Sequence, residues 1–151
     1  MVNLTIWISL VFYLAAVAVL FLVVDDRKQY KTYRILWSLG CIFSLIHVFC
    51  AFHFVHDWDH QAAVKHTIIE TERVIGLRFE YGIYFNYLFL LVWTIDCFVK
   101  EPNIWWSRLV HIYMLIIIIS ATVVFEDGLI RYIALAVLAI LALVYYRYRS
   151  E

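Results

Sequence analysis

Apolar residues fill this chain in long continuous stretches, and the charged residues are gathered between those stretches. A helix of about 20 apolar residues crosses a hydrocarbon core that is about 30 Å thick. Continuous runs exclude a transmembrane barrel, because the strands of a barrel alternate apolar and polar residues. The pattern therefore predicts five spans, at residues 4–24, 35–55, 83–99, 109–125 and 129–146.

Two of the connections between these spans carry structural information. Only residues 126–128, EDG, separate the last two runs, which predicts a tight helical hairpin with Gly128 relieving the turn. The one long connection, residues 57–82, is rich in helix formers and contains no proline. It predicts either a continuation of the second helix or a separate interfacial helix, ended in both cases by Gly76. The expected fold is an all-α integral membrane protein, a five-transmembrane-helix bundle with a helical outer-side extension between spans 2 and 3, as a single domain over residues 1–151.

Composition agrees with a surface that is solvated by lipid. The chain of 151 residues is 66% hydrophobic and 16% charged, whereas soluble domains have about 45–50% apolar and about 25% charged residues. The formal net charge is zero, so no overall field attracts nucleic acid. The expected partners are the lipid bilayer and either other membrane subunits or further copies of this chain.

The distribution of lysine and arginine predicts an orientation. If the loop at residues 25–34 is cytoplasmic, eight of the 12 basic residues lie inside and four lie outside. The N-terminus is then outside and the C-terminus is cytoplasmic. The outer rim becomes both acidic and rich in histidine, a combination that suits a divalent cation.

Four of the six histidines fall within residues 47–60, HVFCAFHFVHDWDH, where the second apolar run ends. On a helix that turns about 100° per residue, four side chains of metal-ligand type share an arc of about 100°. These side chains are His53, His56, Asp57 and His60. The shared face predicts a transition-metal site at the outer boundary of the membrane.

The rise along the helix limits how such a site can form. His53 and His60 are about 10.5 Å apart along an unbroken helix, and metal–nitrogen bonds are only about 2 Å long. One ion therefore takes an adjacent pair, His53 with Asp57 or His56 with His60, and finds further ligands elsewhere. Two ions along the face, or a break in the helix near Asp57, are the other solutions.

Carboxylates at the predicted outer rim supply the remaining ligands. Glu126 and Asp127 lie at the tip of the short hairpin, and Glu80 begins the third span. Imidazole and carboxylate together suit zinc, iron or copper without choosing among them. The hypothesis covers metal-dependent redox or hydrolytic chemistry as well as metal handling, and the sequence names no reaction.

Other interpretations of the histidines stay open. The segment is also typical of a polar boundary between lipid and water, in a non-catalytic accessory subunit of a larger membrane complex. Haem is disfavoured because His47 lies about 18 Å from the inner boundary and His111 only a few ångströms from it, so their depths do not match.

Further polar residues lie near or inside the predicted spans. Asp96 is expected to pair with Lys100 one helical turn later. Tyr84, Asn86 and Tyr87 are expected opposite the histidines, where amide and phenol groups would orient the metal ligands.

Overall fold

The computed structural model describes residues 2–22, 25–100, 102–125 and 128–150. Across these residues the chain forms six α-helices, which confirms the all-α prediction. They are α1 (Val2–Leu22), α2 (Asp26–Phe54), α3 (His60–Ile75), α4 (Gly82–Phe98), α5 (Ile104–Ile119) and α6 (Leu129–Ser150). One π-helical turn, Ser120–Val124, continues α5.

Three stretches of the described chain are long and apolar enough to cross a membrane, namely Asn3–Leu20, Arg27–Phe54 and Ile104–Val124. Helix α4 and the segment Arg131–Ile140 are apolar but shorter. These three stretches indicate an integral membrane protein. A helix lies at each of the five predicted spans, although α2 begins at Asp26 rather than at residue 35.

Side-chain caps set several of the helix ends. Oxygens of Asp25, Asp59 and Asn103 accept backbone N–H groups at the starts of α2, α3 and α5, at distances of 2.8 to 3.0 Å. Such caps satisfy amides that have no partner within the helix. Gly76 ends α3 with a φ of 70°, as predicted, because glycine adopts this left-handed conformation without a steric penalty.

Helices α1 and α2 pack along most of their length, and α4 and α5 complete an aromatic core. The core is tightly packed at Gly40, where an added Cβ would lie 2.8 Å from Cζ2 of Trp93. The Ser9 hydroxyl donates to the Gly40 carbonyl at 2.8 Å and ties α1 to α2. Small residues of this kind let membrane helices approach closely.

The partner of Asp96 differs from the expected one. Its carboxylate pairs with Arg34 of α2 at 3.4 Å and accepts the Trp106 indole N–H at 2.8 Å. The Asp96 side chain is only 5% exposed. The expected pair with Lys100 is wrong because packing of α2 and α5 against the end of α4 supplies stronger, buried partners.

Candidate functional site

The histidine segment does not continue as one helix, because α2 ends at Phe54 and α3 begins at His60. Asp57 and Trp58 have φ angles of 47° and 61°. Consecutive non-glycine residues in the left-handed region cost free energy, and surrounding contacts must hold them there. The chain reverses at this point, so the single face calculated for an unbroken helix does not form.

His53 is held by the turn itself. The Trp58 indole N–H donates to His53 Nδ1 at 3.3 Å. The Trp58 ring also packs edge-on against Phe49, with ring centroids 4.9 Å apart. Trp58 therefore folds back over the end of α2 and occupies one nitrogen of His53.

His60 turns toward α4. Its Nδ1 lies 3.0 Å from the Tyr87 hydroxyl, and the two rings stack with centroids 5.8 Å apart. Tyr84 packs edge-on against the same imidazole. The expectation that these tyrosines face the histidines is confirmed at His60, whereas Asn86 lines two cavities instead.

His56 faces His66, which is not one of the predicted ligands. Their ring centroids are 5.4 Å apart, and the rings belong to separate elements, the turn and α3. Partial burial, and then the neighbouring His66, lower the pKa of His56. A lowered pKa keeps the imidazole neutral near pH 7, which is the form that binds metals.

Glu70 follows His66 by one helical turn. Arg73 holds its carboxylate through two hydrogen bonds of 2.8 and 3.0 Å to the same oxygen. The hydrogen bond from Arg73 is the main reason that the pKa of Glu70 lies below its usual range. The carboxylate is therefore ionised at neutral pH, and it lies close enough to His66 to interact with it electrostatically.

The structure does not gather the remaining predicted ligands. Glu80 is exposed and lies 3.8 Å from Arg78, and Asp57 lies in the turn. Glu126 and Asp127 fall outside the described residues. Within the described ranges, no three histidine, cysteine, aspartate or glutamate side chains form a ready metal-binding group. The seven-residue site stays a prediction.

His66 was missed because the ligand face was calculated for an unbroken helix, although a break near Asp57 was one of the alternatives. One signal for the break is present in the sequence. Asp59 stands just before HQAAVKHTIIE, and an aspartate in that position is a common N-cap for a new helix.

A separate cavity of about 270 Å³ lies inside the bundle, between α1, α2, α4 and the end of α5. Its wall is mostly apolar, with side chains such as Leu10, Phe89 and Ile118. Polar side chains enter from each surrounding element. They are Ser9, Tyr13, Ser44, His47, Asn86, Trp93 and Thr122.

Trp93 lines this cavity and is only 1% exposed. Among the described residues, no hydrogen-bond acceptor meets its indole N–H. A buried donor without a partner costs about 1–3 kcal/mol, so such groups call for a functional or structural explanation.

The π-helical turn forms part of the same wall through Ala121 and Thr122. The hydroxyls of Ser120 and Thr122 donate to carbonyls four residues earlier, at 2.8 and 2.7 Å. Back-bonding of this kind competes with regular helix bonding. Short π-helical turns within α-helices occur frequently at functional sites.

A second and wider cavity, of about 530 Å³, lies beneath α3. It is lined by His66 and Glu70 at its polar side and shares Asn86, Ile117 and Ala121 with the first cavity. The two cavities therefore meet at one wall.

Comparisons with protein-family models, with curated proteins and with solved structures find no match to this chain.

Proposed function

We propose that the chain crosses the membrane five times, with its N-terminus outside and its C-terminus cytoplasmic. Helices occur at all five apolar runs, and eight of the 12 basic residues fall on the cytoplasmic side in this arrangement. The Arg34–Asp96 pair brings the start of α2 beside the end of α4, as antiparallel neighbours require. The short α4 then spans a locally thin or compressed hydrocarbon layer.

Labelling of single cysteines tests this topology. Cysteines placed at residues 60 and 127 should react with an impermeant maleimide added to intact cells. A cysteine at residue 28 should react only after the membrane is opened. Labelling of residues 60 and 127 from opposite sides would contradict the five-span arrangement.

We further propose that the protein binds a small, lipid-soluble molecule in the 270 Å³ cavity. The observation that carries this proposal is that Trp93, whose buried N–H is unpaired among the described residues, lines a mostly apolar cavity. Ligand sites are typically apolar hollows with a few well-placed polar groups, and in helical proteins they lie between the helices of the bundle.

Size and polarity define the class of ligand. An apolar protein cavity of about 150 Å³ holds one benzene molecule, so a cavity of about 270 Å³ has room for roughly two fused rings. The indole N–H favours a ligand with a hydrogen-bond acceptor such as a carbonyl oxygen. The surrounding apolar wall favours a ligand that is otherwise uncharged and apolar. A naphthoquinone has both properties and serves as a probe of this class.

Binding can be measured by equilibrium dialysis of 1,4-naphthoquinone against protein in detergent, with empty micelles as the partition control. Trp93→Phe keeps an aromatic ring but removes the donor, and should weaken binding about fivefold, which corresponds to one hydrogen bond of about 1 kcal/mol. Naphthalene has the same shape without a carbonyl, so it should bind the wild type and the variant equally. Ala121→Phe fills the shared wall and should abolish binding of both probes.

Uptake that never exceeds that of empty micelles would contradict the binding proposal. The accessory-subunit hypothesis would then be favoured, with the cavity filled by a side chain of a partner helix. Co-purification of a stoichiometric membrane partner from the native source would support that alternative.

A further inference from the structure

We propose that His56 and His66 bind one tetrahedral divalent metal ion of the zinc class where the 55–59 turn meets α3. This site differs from the face predicted by the sequence, since it uses His66 and leaves out His53, Asp57 and His60. It also lies apart from the 270 Å³ cavity, which contains neither histidine in its wall. The metal site therefore does not depend on the lipid-soluble ligand.

The separation of the two rings fits a shared ion. A zinc–nitrogen bond of about 2.1 Å places the metal about 3.2 Å from the centroid of an imidazole ring. Two rings on one tetrahedral ion then have centroids about 5.2 Å apart, against about 4.5 Å for a right-angled pair and about 6.4 Å for a linear pair. The observed separation of 5.4 Å is closest to the tetrahedral case, so a shared ion requires only a rotation of the rings that points one nitrogen of each toward it.

The two imidazoles come from elements whose relative position is fixed. The 55–59 turn is held by Trp58, whose backbone N–H donates to the Phe52 carbonyl at 2.9 Å. Helix α3 is held against α4, where a Cβ added at Gly82 would lie 3.0 Å from Cγ2 of Thr67. A pair of ligands on two braced elements loses little conformational freedom when the ion binds.

Glu70 is the proposed third ligand, and it must move to reach the ion, because the described side chains do not already form a group of three ligands. It lies one turn beyond His66 on α3, and a ligand pair spaced by four residues can meet one ion on a helix. Its carboxylate is held by Arg73, so metal binding requires Glu70 to exchange this partner for the ion. Water supplies the fourth position, as in zinc sites that keep an open coordination.

The chain provides matched control variants. His53 and His60 are exposed histidines only a few residues from His56, but Trp58 and Tyr87 hold them apart. The shared-face hypothesis requires these two residues, whereas the proposed pair does not. Substitutions of the four histidines therefore separate the two hypotheses directly.

The experiment is isothermal titration of Zn²⁺ into the full chain in detergent, purified without a histidine tag. Wild type should bind one equivalent, and His56→Ala and His66→Ala should each weaken binding at least tenfold. The double variant His53→Ala/His60→Ala should stay within twofold of wild type. Glu70→Gln should weaken binding about threefold. Co²⁺ bound to wild type should show the intense visible bands of a tetrahedral ion, and these should be lost in His66→Ala.

Helix content and a monodisperse elution profile must match wild type for each variant, with His66→Gln as a second substitution that keeps a polar side chain. Normal zinc binding by a folded His66 variant would overturn the proposal. So would strong loss in the His53/His60 double variant, because that result assigns the ion to the shared face. The absence of saturable binding in wild type would overturn both metal hypotheses.

Discussion

The two ends of the helical bundle use polar side chains in opposite ways. At the Arg34–Asp96 end, two charges of opposite sign are only 17% and 5% exposed. At the histidine end, formed by the 55–59 turn and α3, the Glu70 and Arg73 side chains are 39% and 56% exposed. The first ion pair is buried and the second is exposed to solvent. The two pairs should therefore contribute differently to the stability of the fold.

Burial explains why the charged groups of Arg34 and Asp96 each have several hydrogen-bond partners. The Arg34 guanidinium reaches the Asp96 carboxylate and also donates to the backbone carbonyls of Asp96 and Cys97, at 3.0 and 2.6 Å. These carbonyls lie in the last turn of α4, where carbonyls lack some or all of their partners within the helix. Trp106 completes the shell of the carboxylate. Every strong bond here joins α2, α4 and α5, so this cluster stabilises the bundle.

The histidine end instead contains groups with single, exchangeable partners. His53 has Trp58, His60 has Tyr87 and His56 faces His66. Water can replace such contacts at low cost because the side chains are exposed or half-buried. Polar groups that lose little free energy when they change partners are available for a ligand. The polar groups of the Arg34–Asp96 end are not available in this way.

The largest effect is expected from breaking the buried pair. Asp96→Ala leaves the Arg34 charge and the Trp106 donor without their acceptor. Removal of one partner from a buried ion pair typically destabilises a protein by about 3–5 kcal/mol. The free energy of unfolding can be measured by titrating the detergent-solubilised protein with SDS and following helix content.

The double variant Arg34→Met/Asp96→Leu is the control for this prediction. It removes both charges and keeps apolar volume, so it should recover a large part of the lost stability. An Asp96→Ala variant as stable as wild type would show that water already solvates this end. The proposed contrast between a buried ion pair at one end and an exposed ion pair at the other would then be wrong.

A smaller effect is expected from two glycines, one in the core and one at the histidine end. Gly40→Ala places a Cβ 2.8 Å from the fully buried Trp93 ring and should destabilise by about 1–3 kcal/mol, through overpacking. Gly76→Ala meets no atom within 4 Å but keeps a φ of 70°, and should cost about 1 kcal/mol through backbone strain.

The two glycine variants separate crowding from strain in the same SDS titration. Gly76→Asn is the matched control at the helix end, because asparagine tolerates the left-handed conformation and should recover much of the loss. No such rescue exists at Gly40, where any side chain meets Trp93. A Gly40→Ala variant as stable as wild type would contradict the tight packing of Trp93 against Gly40.

The helices were predictable because the bilayer imposes their length and continuity. Runs of apolar residues and the capping residue Gly76 define five apolar helices and the end of α3 without any tertiary information. The polar contacts were less predictable. Asp96 has a suitable sequence neighbour in Lys100, yet its partner is Arg34, which is 62 residues distant in the chain.

The candidate site was predictable only in its location. The histidine-rich segment marks the correct end of α2, but ligand geometry depends on two residues, Asp57 and Trp58, that adopt positive φ. Neither residue is a glycine, so the sequence signals the start of a new helix at Asp59 but not the direction in which the chain turns. Once the chain reverses, His66 replaces His60 as the neighbour of His56. The internal cavity depends on side chains from four helices and left no local pattern.

The smallest effect on stability is expected from Arg73→Gln, and this variant makes the contrast between the ends sharpest. Exposed pairs spaced by three residues on a helix contribute only about 0.2–0.5 kcal/mol, so the free energy of unfolding measured by SDS titration in the presence of EDTA should hardly change.

The same substitution releases the Glu70 carboxylate, which is then free to join His56 and His66. Zinc affinity should therefore rise about threefold in Arg73→Gln and return to the wild-type value in Arg73→Lys. A fall in zinc affinity would contradict a role for Glu70 as a ligand. A gain in binding with no loss of stability can arise only where polar partners are exchangeable, and no substitution of Arg34 should produce it.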